Sequence, residues 1–544
     1  MNNRSAIKTI LFVSIAAAFS LSANAGSPAA PADTRANISA LNSGGQYDRF
    51  IVTYRDGSTE HGNRAAMLQN VGAAISRTGL DRAKAGVSGR SQSGVRASYG
   101  RRLGIGADLV RTSRHLDSAE AAALMQQIAA DPAVVNVTPD VMLHRDPSIV
   151  APAAVVPATF TPSDTYYPHY QWDLKQPNGV VTYFGDANFG GTSVNDAWDI
   201  ADGSGAVIAV LDTGITRHVD VNTSLGDAGY DFISDAFVSG RPTDDRAPGG
   251  WDLGDWTAAD ECYAGSPADS SSWHGTHVAS TAGAELTNNA LGMAGIAYNA
   301  AVLPVRVLGH CGGYTSDIAD AIVWAAGGHV DGVPDNPHPA DVINLSLGGS
   351  GTCQRHDPTG SAVYQANRLG AAVVVSAGNS NDDARYYTPA SCPGVITVAS
   401  TGITSKRAYY SNYGPAVEIA APGGGVYQDD DPATGVISYD GFVWQALNNG
   451  STTPVAMGTT YSGYAGTSQA APHVSGVVAM MQGARKALGL RPLMPNQVMA
   501  ILGSTANRPV VRPYRNETIG AGILDAEAAV EAAVGGRGHS LLGR

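Results

Sequence analysis

Between residues 206 and 399, five short apolar runs of strand-forming residues recur at 206–211, 302–307, 342–345, 371–376 and 395–399. Segments of helical character lie between and after them, at 276–283, 317–326, 361–369 and 469–486. A strand with one wet face alternates apolar and polar residues. These runs do not alternate, so both of their faces must be dry. Dry strands interleaved with helices predict an α/β fold in which a parallel central sheet carries helices on both faces. Reactive groups of such sheets collect just beyond the carboxyl ends of the strands. Asp212 and Asn379 both follow apolar runs closely.

The N-terminal third reads differently. Arg4 and Lys8, an apolar stretch over 10–21 and the small-residue site Ala23-Asn24-Ala25 predict a secretory signal peptide over 1–25. That stretch, about 12 residues, is too short to span a bilayer. The product is therefore expected outside the cell, with no membrane role once the signal is removed. Residues 48–54 predict a strand closed by the Asp56-Gly57 turn. Residues 118–130 predict an amphipathic helix that Ser118 can cap, with Leu124 and Ile128 on one face, and 134–138 a return strand. The whole is a small α+β unit, in which the Arg-, Ser- and Gly-rich stretch 85–103 is expected to be a disordered loop. Residues 147–162, dominated by Pro, Ala and Val, predict an extended linker and hence the domain boundary.

Charge divides the chain at the same place. Residues 26–150 hold 14 Lys and Arg against 11 Asp and Glu, a net of +3; from 151 onward the count is 18 against 36, a net of −18. This suits a basic segment docking on an acidic one. It gives no reason to expect nucleic acid as a partner. The four cysteines, Cys262, Cys311, Cys353 and Cys392, form an even set in an exported chain and predict two disulfides.

Hydrolysis of a peptide through a serine needs a base to take the hydroxyl proton, a carboxylate to orient that base, and donors for the developing oxyanion. One candidate exists for each role. Asp212 stands in Val-Leu-Asp-Thr-Gly-Ile, His274 in Ser-Trp-His-Gly-Thr-His-Val-Ala, and Ser468 in Gly-Thr-Ser-Gln-Ala-Ala-Pro-His-Val. Asp-Thr-Gly alone is a weak signal, and Gly-Thr-Ser before a helix is more often a cap than a nucleophile. His277 and His473 fit structural roles beside these motifs. A metalloprotease would need His-Glu-x-x-His, which is absent.

Together, in this order, the three segments resemble the motifs of the subtilase family of serine proteases, a likeness covering roughly 164–533. It implies a subtilisin-like α/β catalytic domain over 164–536 with a short tail at 537–544. It also implies that residues 26–150 are a propeptide whose ferredoxin-like unit, about 47–146, assists folding and acts as an intramolecular inhibitor, with processing in the linker 151–163. Val-Val-Ser-Ala-Gly-Asn resembles the segment whose Asn, here Asn379, lines the oxyanion hole. Ser346, Leu347 and Gly348 resemble the strand that pairs with extended substrate; Ala377, Gly378 and Tyr387 would line the pocket for the residue before the scissile bond (P1). No carboxylate is placed at that pocket's base, so apolar or aromatic residues are expected there. The resemblance also implies structural, non-catalytic calcium, with Asp164, Asp220 and Asn289 in ligand positions, although the loop 285–293 departs in length from the family pattern. The insert 220–269, with 11 acidic residues and two arginines, is a second calcium candidate or simply a solvated acidic loop. In such a fold the loops bearing Cys353 and Cys392 emerge together, giving Cys262–Cys311 and Cys353–Cys392 among three possible pairings. The expected product is a monomeric serine endopeptidase acting on proteins and peptides. The alternative is a catalytically inactive binding module of the same fold.

Overall fold

We describe the chain from a computed structural model, over residues 35–82, 84–85, 91–145, 149–150, 162–513 and 515–535. The expected signal peptide, most of the linker and the tail 537–544 lie outside the described residues.

The N-terminal unit runs β1 (Gln46–Tyr54), α1 (Arg64–Thr78), β2 (Ala97–Arg102), β3 (Asp108–Asp117), α2 (Ser118–Ala129) and β4 (Val134–Pro139). Its antiparallel sheet has the order β2-β3-β1-β4, a ferredoxin-like arrangement. Phe50, Val52 and Tyr54 of β1 face Met67, Val71 and Ile75 of α1 and Leu124, Met125 and Ile128 of α2. The opposite face of β1 is covered too, since Ile51 is wholly buried with Leu103, Ala107 and Leu109, so β1 is dry on both faces over residues 50–52. Two local expectations need correction. Asp117, not Ser118, caps α2, accepting from Glu120 N at 2.8 Å. Within the stretch expected to be a disordered loop, residues 97–102 form β2, pairing Ala97 with Thr112 and Tyr99 with Val110. Its partner strand β3 lies downstream, where local composition gives no hint of it.

The main body continues with β5 (Met142–Arg145), β6 (Val207–Asp212), α3 (His274–Ala279), β7 (Ala301–Arg306), α4 (Thr315–Ala325), β8 (Val342–Leu345), β9 (Leu347–Ser350), α5 (Pro358–Leu369), β10 (Ala372–Ser376), β11 (Ile396–Thr401) and β12 (Ile419–Pro422). Then come β13 (Val443–Leu447), β14 (Thr460–Ala465), α6 (Thr467–Ala487), α7 (Pro495–Thr505) and α8 (Ala526–Ala533). The central sheet has eight strands. From one edge they are 247–248, 230–231, β7, β6, β8, β10, β11 and β12, all pairs parallel except the first. The strands are dry on both faces, as their runs predict. Ile208, Val210, Val342 and Val374 pack toward Val474, Val477 and Val478 of α6. The alternate residues Ala209, Leu211, Ile343, Leu345, Val373 and Val375 pack toward Ile318 and Ile322 of α4 and Ala362 and Val363 of α5. Each such Val, Leu or Ile contributes about 1.5–3 kcal/mol by leaving water.

The N-terminal unit docks where α4 and α5 begin. Asp140 accepts from Ser316 N and Oγ at 2.9 Å and pairs with Arg49, whose guanidinium lies 3.8 Å from the Tyr314 ring centre. Asn37 and Asn136 donate to Asp357 at 2.7 and 3.0 Å. Arg101 pairs with Asp317 at 2.9 Å and with Asp320. Of these contacts only Arg101 sets a basic side chain of the N-terminal unit on acids of the main body; Arg49 and Asp140 pair within the unit, and the other donors are neutral.

Cys262 is bonded to Cys311 and Cys353 to Cys392. The second bridge closes a segment of 39 residues. By loop entropy alone it stabilises the fold by about 4 kcal/mol. The double substitution Cys353→Ser, Cys392→Ser is therefore expected to move the urea unfolding midpoint clearly downward; an unchanged midpoint would mean that the bridge does not constrain the unfolded chain.

Candidate active site

Asp212 ends β6, and its carboxylate meets the ring of His274, the first residue of α3. Oδ1 and Oδ2 lie 2.8 and 3.0 Å from Nδ1. Both side chains are wholly buried, and Thr213 N donates to Asp212 Oδ1 at 2.7 Å. An Nδ1 that donates to a carboxylate leaves Nε2 as the basic nitrogen. Among the described residues Nε2 has no protein hydrogen-bond partner. Trp273, just before His274, is held at φ 52° in the left-handed region, with its indole donating to Gly450 O at 2.7 Å. Such a backbone costs about 1–3 kcal/mol and persists because packing holds it.

Ser468 is the second residue of α6. Its Oγ donates to Ser346 O at 3.3 Å, and Ser346 Oγ donates back to Ser468 O at 2.8 Å. Asp212 and His274 are therefore in contact, whereas the Ser468 hydroxyl is turned to a carbonyl rather than to His274. Nucleophile–base contacts commonly tighten only when substrate binds.

Asn379 follows β10 through Ala377 and Gly378. Gly378 has φ +104°, and a Cβ there would lie 2.3 Å from Asn412 Nδ2, so the turn requires glycine. The amide oxygen of Asn379 accepts from both N and Oγ1 of Thr467, each at 2.9 Å. Thr467 thereby decides which end of the amide is turned toward Gly466 and Ser468: it is the nitrogen, a donor. The Ser468 N–H belongs to the first turn of α6, where backbone donors lack helical partners and the dipole favours negative charge.

Several supports were not legible in the motifs. Thr213 Oγ1 donates to Asp252 at 2.6 Å and accepts from Gly275 N at 3.0 Å, tying the Asp212 turn to the start of α3. Burial, and then the neighbouring Asp255, push Asp252 up to about 7. His473, wholly buried on α6, meets Asp173 at 2.9 Å and Gln469 O at 2.8 Å. This pair locks the Ser468 helix onto the 172–174 turn across 300 residues, a separation at which motif spacing carries no signal. His277 bonds Ser462 O at 3.1 Å and stacks on Tyr464; burial, and then His274, lower it to about 3. Those contacts suit a neutral structural ring.

A groove crosses this site. Its walls are β9 and the pair Gly313–Tyr314, and β5 of the N-terminal unit lies between them. Arg145 pairs with Leu347, His144 with Gly348, Leu143 with Gly313 and Met142 with Tyr314. On the far side of Ser468, Ile149 and Val150 pair with Ala465 and Tyr464 of β14. A cavity of about 330 Å³ opens beside β9, lined by Gly348, Ala377, Gly378, Tyr387 and Ala390 among others. Among the described residues its lining includes no Asp or Glu.

The candidate calcium ligands also meet. Asp164 accepts from Asn288 N at 2.8 Å and Asn289 N at 3.3 Å; Asp220 accepts from the Asn289 amide and from Tyr461 OH. Gly292 completes a cradle, since a Cβ there would fall 2.2 Å from Asp220 Oδ2. Burial pushes Asp164 up to about 6 and raises Asp220 as well. Glu285, beside Asp220 and wholly buried, is raised far above the usual range by burial and then by that neighbour. Nothing in the spacing of the chain marks Glu285. The two carboxylates suit a hard cation, but Asn289 turns its amide nitrogen to Asp220 and its oxygen to Leu291 N at 2.8 Å, so that amide would have to turn over to join backbone carbonyls as a ligand. Among the described residues no cluster of three or more His, Cys, Asp or Glu could hold a metal by those side chains alone. The insert acids do not converge on one another. Asp231 pairs with Arg241 and Arg306, Asp244 accepts from Ala236 N, and Asp255 accepts from Ser272. The expectation of a second calcium site in the insert is therefore not met.

Residues 203–522 match the Subtilase family. The chain is 43% identical over 490 residues to an extracellular protease of Xanthomonas campestris, covering 90% of this chain and 73% of that one. It is 39% identical over 494 residues to an extracellular basic protease of Dichelobacter nodosus, covering 90% and 71%. A solved structure of a protease from Pseudoalteromonas arctica superposes with a TM-score of 0.60 at 44% identity, covering 69% of this chain and all of that one. With a central parallel sheet, the family motifs at its carboxyl edge and relatives of this similarity, the chain belongs to the subtilase family of serine proteases.

Proposed function

We propose that this protease is a secreted endopeptidase using Asp212, His274 and Ser468 through an acyl-enzyme, and that it is made as a zymogen blocked by its own N-terminal unit. The carrying observation is the buried Asp212–His274 pair beside Ser468, in a groove bridged by a strand of the same chain. His274 Nε2 takes the Ser468 proton as Oγ attacks the substrate carbonyl. Asp212 holds the ring and stabilises the imidazolium that forms. The Ser468 N–H and the Asn379 amide meet the oxyanion. His274 then protonates the leaving amine, and water repeats the steps in reverse to release the acyl group. A cavity without carboxylates favours apolar or aromatic P1 residues. A catalytically inactive binding module would have no use for a base oriented in this way.

Calcium would be held by Asp164, Asp220 and Asn289 with nearby carbonyls, and would supply only charge neutralisation that steadies the loop after α3. The protease acts as a monomer on protein and peptide substrates.

Three outcomes test this reading. With a peptide bearing Phe at P1, Ser468→Ala is expected to lower turnover at least about 10⁴-fold. Asn379→Leu should cost roughly 10²–10³-fold with KM largely kept. Ser468→Ala activity within tenfold of wild type would end the nucleophile assignment.

Because β5 pairs with β9 and Ile149 with β14, the first self-cut is expected between Arg145 and Ile149, ahead of the segment 151–163 in which the family resemblance puts processing. N-terminal sequencing of wild type should find it there. Ser468→Ala, made in a host without other proteases, should keep the N-terminal unit covalently attached. Complete processing of that variant would refute self-cleavage.

Calcium should stabilise in a pH-dependent way. In metal-free folded protein Asp164 holds its proton up to about pH 6. The unfolded chain loses it near 3.9. Stability contributed by that difference is present below the unfolded value and is lost as pH rises through about 6. Calcium should therefore raise the melting temperature strongly at pH 7–8 and little at about pH 4. Initial turnover at low temperature should be unaffected by chelation. An equal calcium effect at both pH values would remove Asp164 from the ligand set.

A further inference from the structure

Beside His274 the groove carries a second recognition element, built from the acidic insert. Arg145, the last residue of β5, reaches out of the groove between two carboxylates: Nε lies 3.0 Å from Asp255 Oδ2 and Nη2 lies 3.3 Å from Asp269 Oδ2. Asp255 is nearly buried and already positioned, accepting from Ser272 N at 2.6 Å and Ser272 Oγ at 2.8 Å. Ser272 Oγ in turn accepts from His274 N at 3.2 Å, so this acid stands next to the start of α3. Asp269 is more exposed, but its backbone is tied to Thr257 in both directions at 2.9 Å. The Cys262–Cys311 bridge fastens the loop between them to the wall of the groove. A cavity of about 320 Å³ lies among these groups.

A comparison within the molecule separates this pair from ordinary docking contacts. Arg101 also lies on two carboxylates, Asp317 and Asp320, but those keep Arg246 at 2.8 and 2.9 Å as a partner from their own body. Among the described residues, Arg145 is the basic side chain that pairs with Asp255 and Asp269. When β5 leaves, two fixed acids face the groove at the substrate position that pairs with Leu347. Asp255, still held by Ser272, then lacks the counter-charge that Arg145 gave it, and an incoming guanidinium or ammonium restores it.

Resting on the protease reading above, we propose that Asp255 and Asp269 form a subsite for Arg or Lys at the substrate residue opposite Leu347, so that the mature enzyme selects polypeptides with a basic residue there in addition to an apolar one at P1. Arg145 is then the chain's own first occupant of a site that substrates use afterwards.

The test uses matured enzyme and internally quenched peptides in which Arg, Lys, Gln or Glu is placed, one at a time, at each position preceding the cut. At one position Arg and Lys should exceed Gln in kcat/KM by roughly tenfold or more, with Glu below Gln. In Asp255→Asn, Asp269→Asn the Arg-to-Gln ratio should fall to about one at that position alone. Because ratios are taken within one enzyme, a general loss of activity cancels. If the double variant does not mature, Asp269→Asn alone should lower the ratio severalfold. Raising salt from about 0.05 M to about 1 M should also shrink the wild-type preference. A ratio unchanged by the substitutions, or no position preferring a basic residue, overturns the subsite while the Gln peptide still reports a working protease. Failure of wild type to cut any peptide overturns the protease reading first, and this inference with it.

Discussion

A sheet that is dry on both faces cannot host polar chemistry along its length, and that constraint organises the molecule. Ile208 and Val210 look to one core, Ala209 and Leu211 to the other, so β6 can present a charged group only where it ends, at Asp212. The same holds for Ser346 after β8 and Asn379 after β10. Helices packed on the two faces begin near that edge, which brings α3 and α6 in with backbone N–H groups foremost. The groove, the placing of Asp212, His274 and Ser468 at that edge, and the donor ends of two helices are thus consequences of one pattern of apolar residues.

Placing charge at that edge still requires every buried polar atom to be answered. Asp212 is met by His274 and Thr213, Thr213 by Asp252 and Gly275, and Asn379 by Thr467. Asp173 and His473 do the same for the back of α6. Removing one partner of such a buried pair typically costs about 3–5 kcal/mol. Thr213, Asp252, Thr467, Asp173 and His473 therefore hold Asp212, Asn379 and the Ser468 helix in register from behind the groove.

How much of this was legible depended on range. The five dry runs and the motifs around Asp212, His274 and Ser468 are local patterns, and strands and helix starts stand where they put them. Strand β2 was not legible, because its identity comes from pairing with β3 and not from its own Arg, Ser and Gly. Asp117 outcompetes Ser118 as a cap since its carboxylate reaches Glu120 N one residue earlier than the pattern suggests. The partners Asp173 and His473 lie 300 residues apart, so spacing could not join them without the fold, and Asp220 and Asn289, 69 apart, were joined only by the family resemblance. The insert acids looked alike in composition. Only contacts divide them into a buried partner of arginines (Asp231), the cap of the turn 236–239 (Asp235), a support behind Thr213 (Asp252) and a wall of the groove (Asp255).

The N-terminal unit shows the difference between contacts that a body can lose cheaply and contacts that it cannot. Helix α4 has no side-chain cap of its own, and Asp140 answers its Ser316 N–H from the other unit. Water can take over that role at modest cost, since a first-turn donor is solvated readily once uncovered. Asp317 and Asp320 retain Arg246. Leu143, by contrast, is wholly buried in the α4–α5 core, and Arg145 is the counter-charge of Asp255. In the groove itself the contacts of the N-terminal segment are those of β5: pairing with β9, Leu143 in the core and Arg145 on Asp255. On the function proposed above, the segment seated in the groove, rather than the globular unit behind it, is the part of the chain that reports what the protease accepts.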